Sequence, residues 1–362
     1  MTGSGAQTAG VETSAWVADR WTDRVLLHAG LYVSGAIVLL AAILGGFPRV
    51  THADSGLIGI SGLLVATFLS TPHFVATVWL VIGNDALRRA TPDKGRRFGI
   101  ANVVFILCML PILLFASQRT DSMLVLLAFV GLFDTYHFAS QDRGFLSIYR
   151  HRVGQSDVFA RRDNRLFRAI IPWMALNTLG APDAAYWIDI GLIGQQWPFA
   201  LPDWVFPTSH IVVLVLLIDV LQGELRRPEG PHWAKLGFMA SALCSYALIP
   251  LTPLLGYVAA RVHHGATYLG LSRHMVNRLS ADQQFRGRLL PWIAGGSLMR
   301  YVAMMGVVAL PLSAIMVLGG QLQGSRLAMA FVLLVTFHHY FIDAFIWRFR
   351  RPEIRKGVAL YI

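Results

Sequence analysis

The feature that most constrains this chain is the recurrence of apolar runs, each about 20 residues long, with arginine and lysine crowded into alternate gaps between them. A run of that length, coiled as a helix, matches the hydrocarbon thickness of a bilayer. In hydrocarbon, a helix is the element that satisfies its own backbone hydrogen bonds. The runs fall at 25–47, 56–83, 99–117, 122–141, 168–194, 206–222, 234–250, 253–272, 298–319 and 326–347. They predict an all-α, polytopic transmembrane helical bundle of about ten spans.

Composition supports a lipid solvent: 55% of residues are hydrophobic and 14% are charged, against about 25% charged in a soluble domain. The net charge of +11 does not predict a nucleic-acid partner, because the cations stand in short blocks between apolar runs. There they act as topology signals and contacts for anionic head groups. The blocks run from Arg88 to Arg97, Arg143 to Arg168, Arg226 to Lys235, Arg261 to Arg288 and Arg348 to Lys356. The positive-inside rule puts all five, and both termini, on the cytoplasmic side of what is read as a bacterial inner membrane. Residues 1–24 read as a cytoplasmic tail without a cleaved signal, 25–347 as the membrane domain, and 348–362 as a basic cytoplasmic tail.

Three segments carry further expectations. Asn177, Gly180, Pro182, Asp183 and Asp189 interrupt 168–194, so a broken or re-entrant helix fits as well as a straight one. Pro250 and Pro253 predict the turn of a hairpin between two spans. The stretch 142–167 reads as a cytoplasmic loop whose 143–150 part is an interfacial amphipathic helix, with a functional lid as the alternative. Cys108 and Cys244 each sit inside an apolar run and offer neither a disulfide framework nor a CxxC site.

Ionisable residues inside spans are costly and mark a site or a pathway. Here His28, His73, Asp134, His137, His263, His264, His338, His339 and Asp343 all fall in the cytoplasmic half of their spans, whereas His210 starts a span from the outer side. Residues three or four apart on a helix share a face, which pairs His339 with Asp343 and groups Asp134, His137 and Gln141. Imidazole and carboxylate converging from several helices is how bundle cores bind transition metals. The predicted ligand set is His73, Asp134, His137, His263, His264, His338, His339 and Asp343. Adjacent histidines point about 100° apart, so one of each pair can be an outer partner, and Asp134 can either bind metal or orient a histidine. Six or more ligands exceed what one tetrahedral metal needs, which points to two. Tyr136, Tyr268, Tyr340 and Trp347 read as interfacial anchors, with Tyr268 the best donor to a ligand.

These elements are Thr71-Pro72-His73-Phe74, Asp134-Thr135-Tyr136-His137, Val262-His263-His264-Gly265 and Phe337-His338-His339-Tyr340-Phe341-Ile342-Asp343. Their organisation resembles that of integral-membrane histidine-rich non-haem iron enzymes: fatty-acid desaturases, alkane hydroxylases and sterol oxidases. The HxxxH and HxxHH boxes of those families do not occur in them. The number of spans and the carboxylate partners are closer to multi-pass carotene-cleaving oxygenases. The adjacent histidines also resemble the copper site of haem-copper oxidases, without its HPEVY-type context.

The resemblance implies an oxygen-using oxidoreductase holding two irons per chain and acting on a lipophilic substrate drawn from the bilayer by hydroxylation, desaturation or oxidative cleavage. The first two reactions need electrons, hence a cytoplasmic electron donor on the basic loops. A transporter of metal ions or protons along the same His/Asp residues is the alternative from another class, and it requires polar residues continuing to the outer face. A structural or assembly protein glued by His–Asp pairs is the third.

Overall fold

The computed structural model describes residues 16–46, 71–90, 92–180, 201–321 and 326–346. Among the described residues the fold is all-helical, with no strand and one isolated antiparallel bridge between Asn84 and Phe285. The helices are α1 (Arg20–Thr22), α2 (Ala29–Ile43), α3 (Pro72–Gly83), α4 (Asp85–Ala90), α5 (Pro92–Ala116), α6 (Thr120–Arg152) and α7 (Asp157–Ala175). They continue with α8 (Val205–Leu225), α9 (Trp233–Ala247), α10 (Pro253–Ala281), α11 (Leu289–Ala294), α12 (Leu298–Gln321) and α13 (Arg326–Ile346). Two π-helical turns, Asp23–Leu27 and Leu176–Gly180, extend α1 and α7.

Among the described residues, three segments are long and apolar enough to cross a membrane: Gly99–Ala116, Val205–Leu225 and Leu298–Ile315. A fourth is added if the pair Arg20–Leu27 and Ala29–Ile43, bent by 43°, counts as one span. The sequence reading of about ten is larger because it counts helices that are short, such as α9, or polar. Helix α10 carries Arg261, His263, His264, Arg273 and Arg278, and α6 carries Asp134, Asp142, Arg143 and Arg150. The second half of the expected span 168–194, residues 181 onward, lies outside the described residues, as do the first part of 56–83 and Trp347.

The centre of the molecule is α10. Every residue from Val262 to Ser272 is buried, so this stretch is enclosed on all sides, as a helix in the middle of a bundle must be. It packs against α2, α3, α6, α9 and α11, while α5 and α13 pair beside it and α7 packs against both α6 and α8. The expected hairpin between α9 and α10 is present: Pro253 starts α10 at its first turn, where a missing N–H does no harm. A Cβ on Gly256 would lie 2.6 Å from the backbone of Leu248 and Ile249, so only glycine lets the hairpin close this tightly.

Gly30 plays the same part where α2 crosses α9 and α10. A Cβ there would sit 2.7 Å from both His263 Cβ and the Ser241 carbonyl oxygen. Gly30→Ala is therefore expected to lower stability by about 1–3 kcal/mol through overpacking, read as a shift in an SDS-unfolding titration of the detergent-purified protein. An unshifted midpoint would mean that α2 is not seated in this groove.

One expectation is corrected. Residues 142–152 are neither a loop nor an interfacial helix: α6 runs unbroken to Arg152, and Phe145, Leu146 and Tyr149 on it are in the core. The Tyr149 hydroxyl donates to Asp23, whose carboxylate also accepts the Val17 and Ala18 N–H groups, so the N-terminal turn is folded onto this end of α6. The basic stripe that suggested a membrane-surface helix is used inward, as Arg150 bonds buried Asp163 at 2.6 Å.

Candidate metal centre

Four helices bring imidazoles to one point. His73 stands in the first turn of α3, just after Pro72, and its end of the helix is fixed by the Thr77 hydroxyl bonding the His73 carbonyl at 2.8 Å. The far end of α3 is held by the Asn84–Phe285 bridge, with the Asp85 N–H on the Gln284 carbonyl at 2.8 Å. His137 projects from α6, His264 from buried α10, and His339 from α13 with Asp343 one turn further on the same face.

The Nε2 atoms of His73 and His339 are 3.0 Å apart. Asp343 Oδ2 lies 3.4 Å from His339 Nε2 and 3.5 Å from His137 Nε2. The ring of His264 is 4.8 Å from that of His73 and 4.7 Å from that of His137, both edge to face. One ligand atom from each of His73, His264 and His339 falls within 4.8 Å of the others, and the same holds for His137, His339 and Asp343. Donor atoms about 2.1 Å from one metal lie roughly 3 Å apart as neighbours and about 4.2 Å apart across it, so the separations of 3.0 Å to 3.5 Å suit neighbouring ligands of an ion, in two trios that share His339.

His264 is the least explained residue without such an ion. It is 2% exposed, and neither of its ring nitrogens has a hydrogen-bond partner. Buried imidazole nitrogens are ordinarily bonded, and leaving one bare costs about 1–3 kcal/mol.

Of the eight predicted ligands, five meet here: His73, His137, His264, His339 and Asp343. The other three are committed to other partners. His263 points away from its neighbour and uses both nitrogens, Nδ1 with Ser241 Oγ at 3.1 Å and Nε2 with Asp142 Oδ1 at 3.2 Å. His338 turns toward α5 and bonds Asn102 Oδ1 at 2.8 Å. Asp134 accepts the hydroxyls of Tyr257 and Tyr340 and Arg261 Nη2 at 3.1 Å, which makes it a clasp joining α6, α10 and α13.

Compared with protein families, with curated proteins and with solved structures, the chain matches none. The site must be read from its own geometry.

A pocket opens on this cluster, and besides the four histidines and Asp134 it is lined by Phe74, Phe138, Arg261 and Tyr340. The aromatic residues supply an apolar wall. Tyr268 and Tyr340, expected as interfacial anchors, are buried at 1% and 5% exposure, while Tyr136 is half exposed at 50%. The His73 and Tyr268 rings are 5.7 Å apart. His210, which the sequence alone reads as the outer-side residue a transport path would need, bonds the Phe206 carbonyl of its own helix at 2.7 Å.

Tyr257, Arg261 and Asp142 are absent from the predicted set. Arg261 reads in sequence as a topology cation and Asp142 as the start of a loop. A signal for the first two was present, since Tyr257, Arg261, His264 and Tyr268 follow one another at spacings of four, three and four residues, the repeat of one helix face. On that face Arg261 also lies over the Tyr257 ring, 4.8 Å from its centroid.

Proposed function

We propose that this chain is a membrane-embedded, metal-dependent oxidoreductase. It holds iron through His73, His137, His264, His339 and Asp343, and acts on a lipophilic substrate with dioxygen as oxidant. The observation that carries the reading is His264, buried with two unpartnered ring nitrogens among three other imidazoles and a carboxylate. Imidazole-rich sites suit iron, copper or zinc, and bound iron supplies redox chemistry with dioxygen.

The donor set favours one metal per chain over the two expected from the ligand count. An imidazole nitrogen has one lone pair and binds one ion. Four imidazoles and one carboxylate can surround a single metal with a position left open, whereas two metals reach three protein ligands each only if Asp343 bridges them, and His339 then serves one of the two trios alone. Asp343 faces both His137 and His339 and sets their approach. Asp134 holds Tyr340 beside His339, and Phe74 and Phe138 keep the pocket dry on the substrate side.

The membrane setting is part of the proposal. Positive-inside alternation supports about ten spans with cytoplasmic termini in a bacterial inner membrane. The apolar exteriors of α5 and α8 suit lipid: only 11% of each spanning window is buried. Hydroxylation or desaturation would draw electrons from a cytoplasmic donor docked on the basic loops, while oxidative cleavage that incorporates both oxygen atoms would need none.

The test is metal analysis by plasma mass spectrometry on detergent-purified protein beside a His137→Ala/His339→Ala variant shown to be folded. About one iron per chain, falling below about a tenth in the variant, is the expected result. Protein that holds no tightly bound metal after anaerobic reconstitution with iron would overturn it.

A further inference from the structure

We infer that the corner formed by α11 and the start of α12 is a binding surface for the head groups of anionic phospholipids, with Arg288 and Arg300 as the residues that meet the phosphate. The inference rests on the membrane setting proposed above and not on the metal.

Helix α11 is short, and its inner face, Leu290, Ile293 and Ala294, is buried. Its outer face is apolar too: Leu289 and Trp292 are exposed, Trp292 at 56%, and Met299 at the start of α12 is exposed at 77%. Arginine frames these side chains. Arg288 is exposed one turn before Trp292, whose N–H bonds the Arg288 carbonyl at 3.0 Å. The Arg300 guanidinium lies over the indole, with Cζ 3.7 Å from the Trp292 ring centroid, and donates to the Trp292 carbonyl at 2.9 Å. Among the described residues neither arginine has a carboxylate partner, unlike Arg286, which bonds Asp85 at 2.5 Å, and Arg261, which bonds Asp134 at 3.1 Å.

A second corner of the same character is fastened to this one. Arg273 donates through Nη1 to Thr22 Oγ1 at 3.1 Å and through Nη2 to the Gly296 carbonyl at 3.0 Å, which ties α1 to the turn between α11 and α12. Trp21, next to Thr22, is exposed at 73%, and Arg20 and Arg24 are exposed on either side of it. The Asp19 carboxylate at this junction is turned to the Trp21 and Thr22 N–H groups at 3.0 Å and 2.9 Å and stands 3.7 Å from Arg273. Both corners stand at the start of an apolar helix that qualifies as a span, Leu298–Ile315 for one and the bent pair Arg20–Leu27 and Ala29–Ile43 for the other. That position is head-group depth, where tryptophan collects and arginine reaches the phosphates from an apolar footing. A head group of net negative charge neutralises the arginines, which zwitterionic phosphocholine does not.

The test is tryptophan quenching in phosphatidylcholine bilayers that contain about a fifth of brominated phosphatidylglycerol or of brominated phosphatidylcholine, with the signal of Trp292→Phe protein subtracted to isolate Trp292. Brominated phosphatidylglycerol is expected to associate with Trp292 about fivefold or more strongly than brominated phosphatidylcholine, the factor that one cation at an anionic surface supplies. In Arg288→Gln/Arg300→Gln, two changes at the surface, the ratio is expected to fall to about one. Equal association of the two lipids in the wild-type protein, quenching of Trp292 by neither, as a corner covered by a soluble partner would give, or a ratio that survives in the double variant would overturn the inference. The first two outcomes do not depend on how the arginine variant folds. If no tryptophan of the protein were quenched by either lipid, the membrane setting and this inference would fall together, whereas quenching elsewhere with none at Trp292 would overturn this inference alone.

Discussion

Lys235→Met is expected to cost the folded protein about 3–5 kcal/mol, the range for removing one member of a buried ion pair. Lys235 is fully buried, and its Nζ lies 2.6 Å from Glu224 Oε1, 2.9 Å from Asp163 Oδ2 and 3.4 Å from Gln155 Oε1. Asp163 also takes Arg150 at 2.6 Å, and Arg227 stands 3.6 Å from Glu224. The group thus ties α6, α7, α8 and α9 together, and with Glu229, 3.6 Å from Arg227, its three cations face three carboxylates. His232 joins it as a neutral ring: burial holds it below the ordinary histidine range, and its Nδ1 accepts the Lys235 N–H at 3.1 Å. Methionine keeps the apolar stem and removes the ammonium, which strands two carboxylates with fewer partners. Removing a carboxylate at the same time, as in Lys235→Met/Glu224→Gln, should recover part of the loss, because the penalty lies in the unpaired charge. The measurement is an SDS-unfolding titration in detergent micelles. A loss under about 1 kcal/mol would mean that the pair behaves as a solvated surface bridge.

That cluster also explains where the sequence misleads. In a membrane chain, arginine and lysine between apolar runs are read as topology signals, and Arg150, Arg261 and Lys235 were counted that way. Each is instead paired inward, with Asp163, Asp134 and Glu224, acids that lie 11 to 127 positions away in the chain. No local pattern announces such a pairing. It depends on which helices neighbour one another, and the spacing of charges along one helix carries no information about that.

The all-helical class was legible because burying apolar runs of this length leaves little alternative. So was the hairpin between α9 and α10, where Pro250 and Pro253 forbid a continuous helix. The site was legible in part for a geometric reason. His339 and Asp343 share a face at a spacing of four residues, and their helix had to present both to the same neighbour. Asp134 met the same test and lines the same pocket, yet its carboxylate is taken by Tyr257, Arg261 and Tyr340 from two other helices. Helical spacing fixes which residues look the same way, and only packing fixes what they look at.

The adjacent histidines of α10 turn this into the sharpest test of the site. His264→Ala is expected to abolish metal binding, leaving under about a tenth of the wild-type content, because it removes a ligand whose ring nitrogens have no other partner. His264 makes no hydrogen bond through its ring, so its loss costs the apo fold that ring's packing against His73, His137 and Phe138, offset in part by the removal of two bare nitrogens. His263→Ala should do the reverse. It leaves Ser241 without its ring partner and Asp142 with Tyr246 but no imidazole, at a cost of about 1–3 kcal/mol in stability. Its metal content should stay near the wild-type level. Two neighbouring residues of identical chemistry, about 100° apart around one helix, would then separate metal binding from folding when iron content and SDS unfolding are measured side by side. If both variants lost metal and stability together, the histidines would be acting as one structural unit, and a dedicated metal centre at His264 would be ruled out.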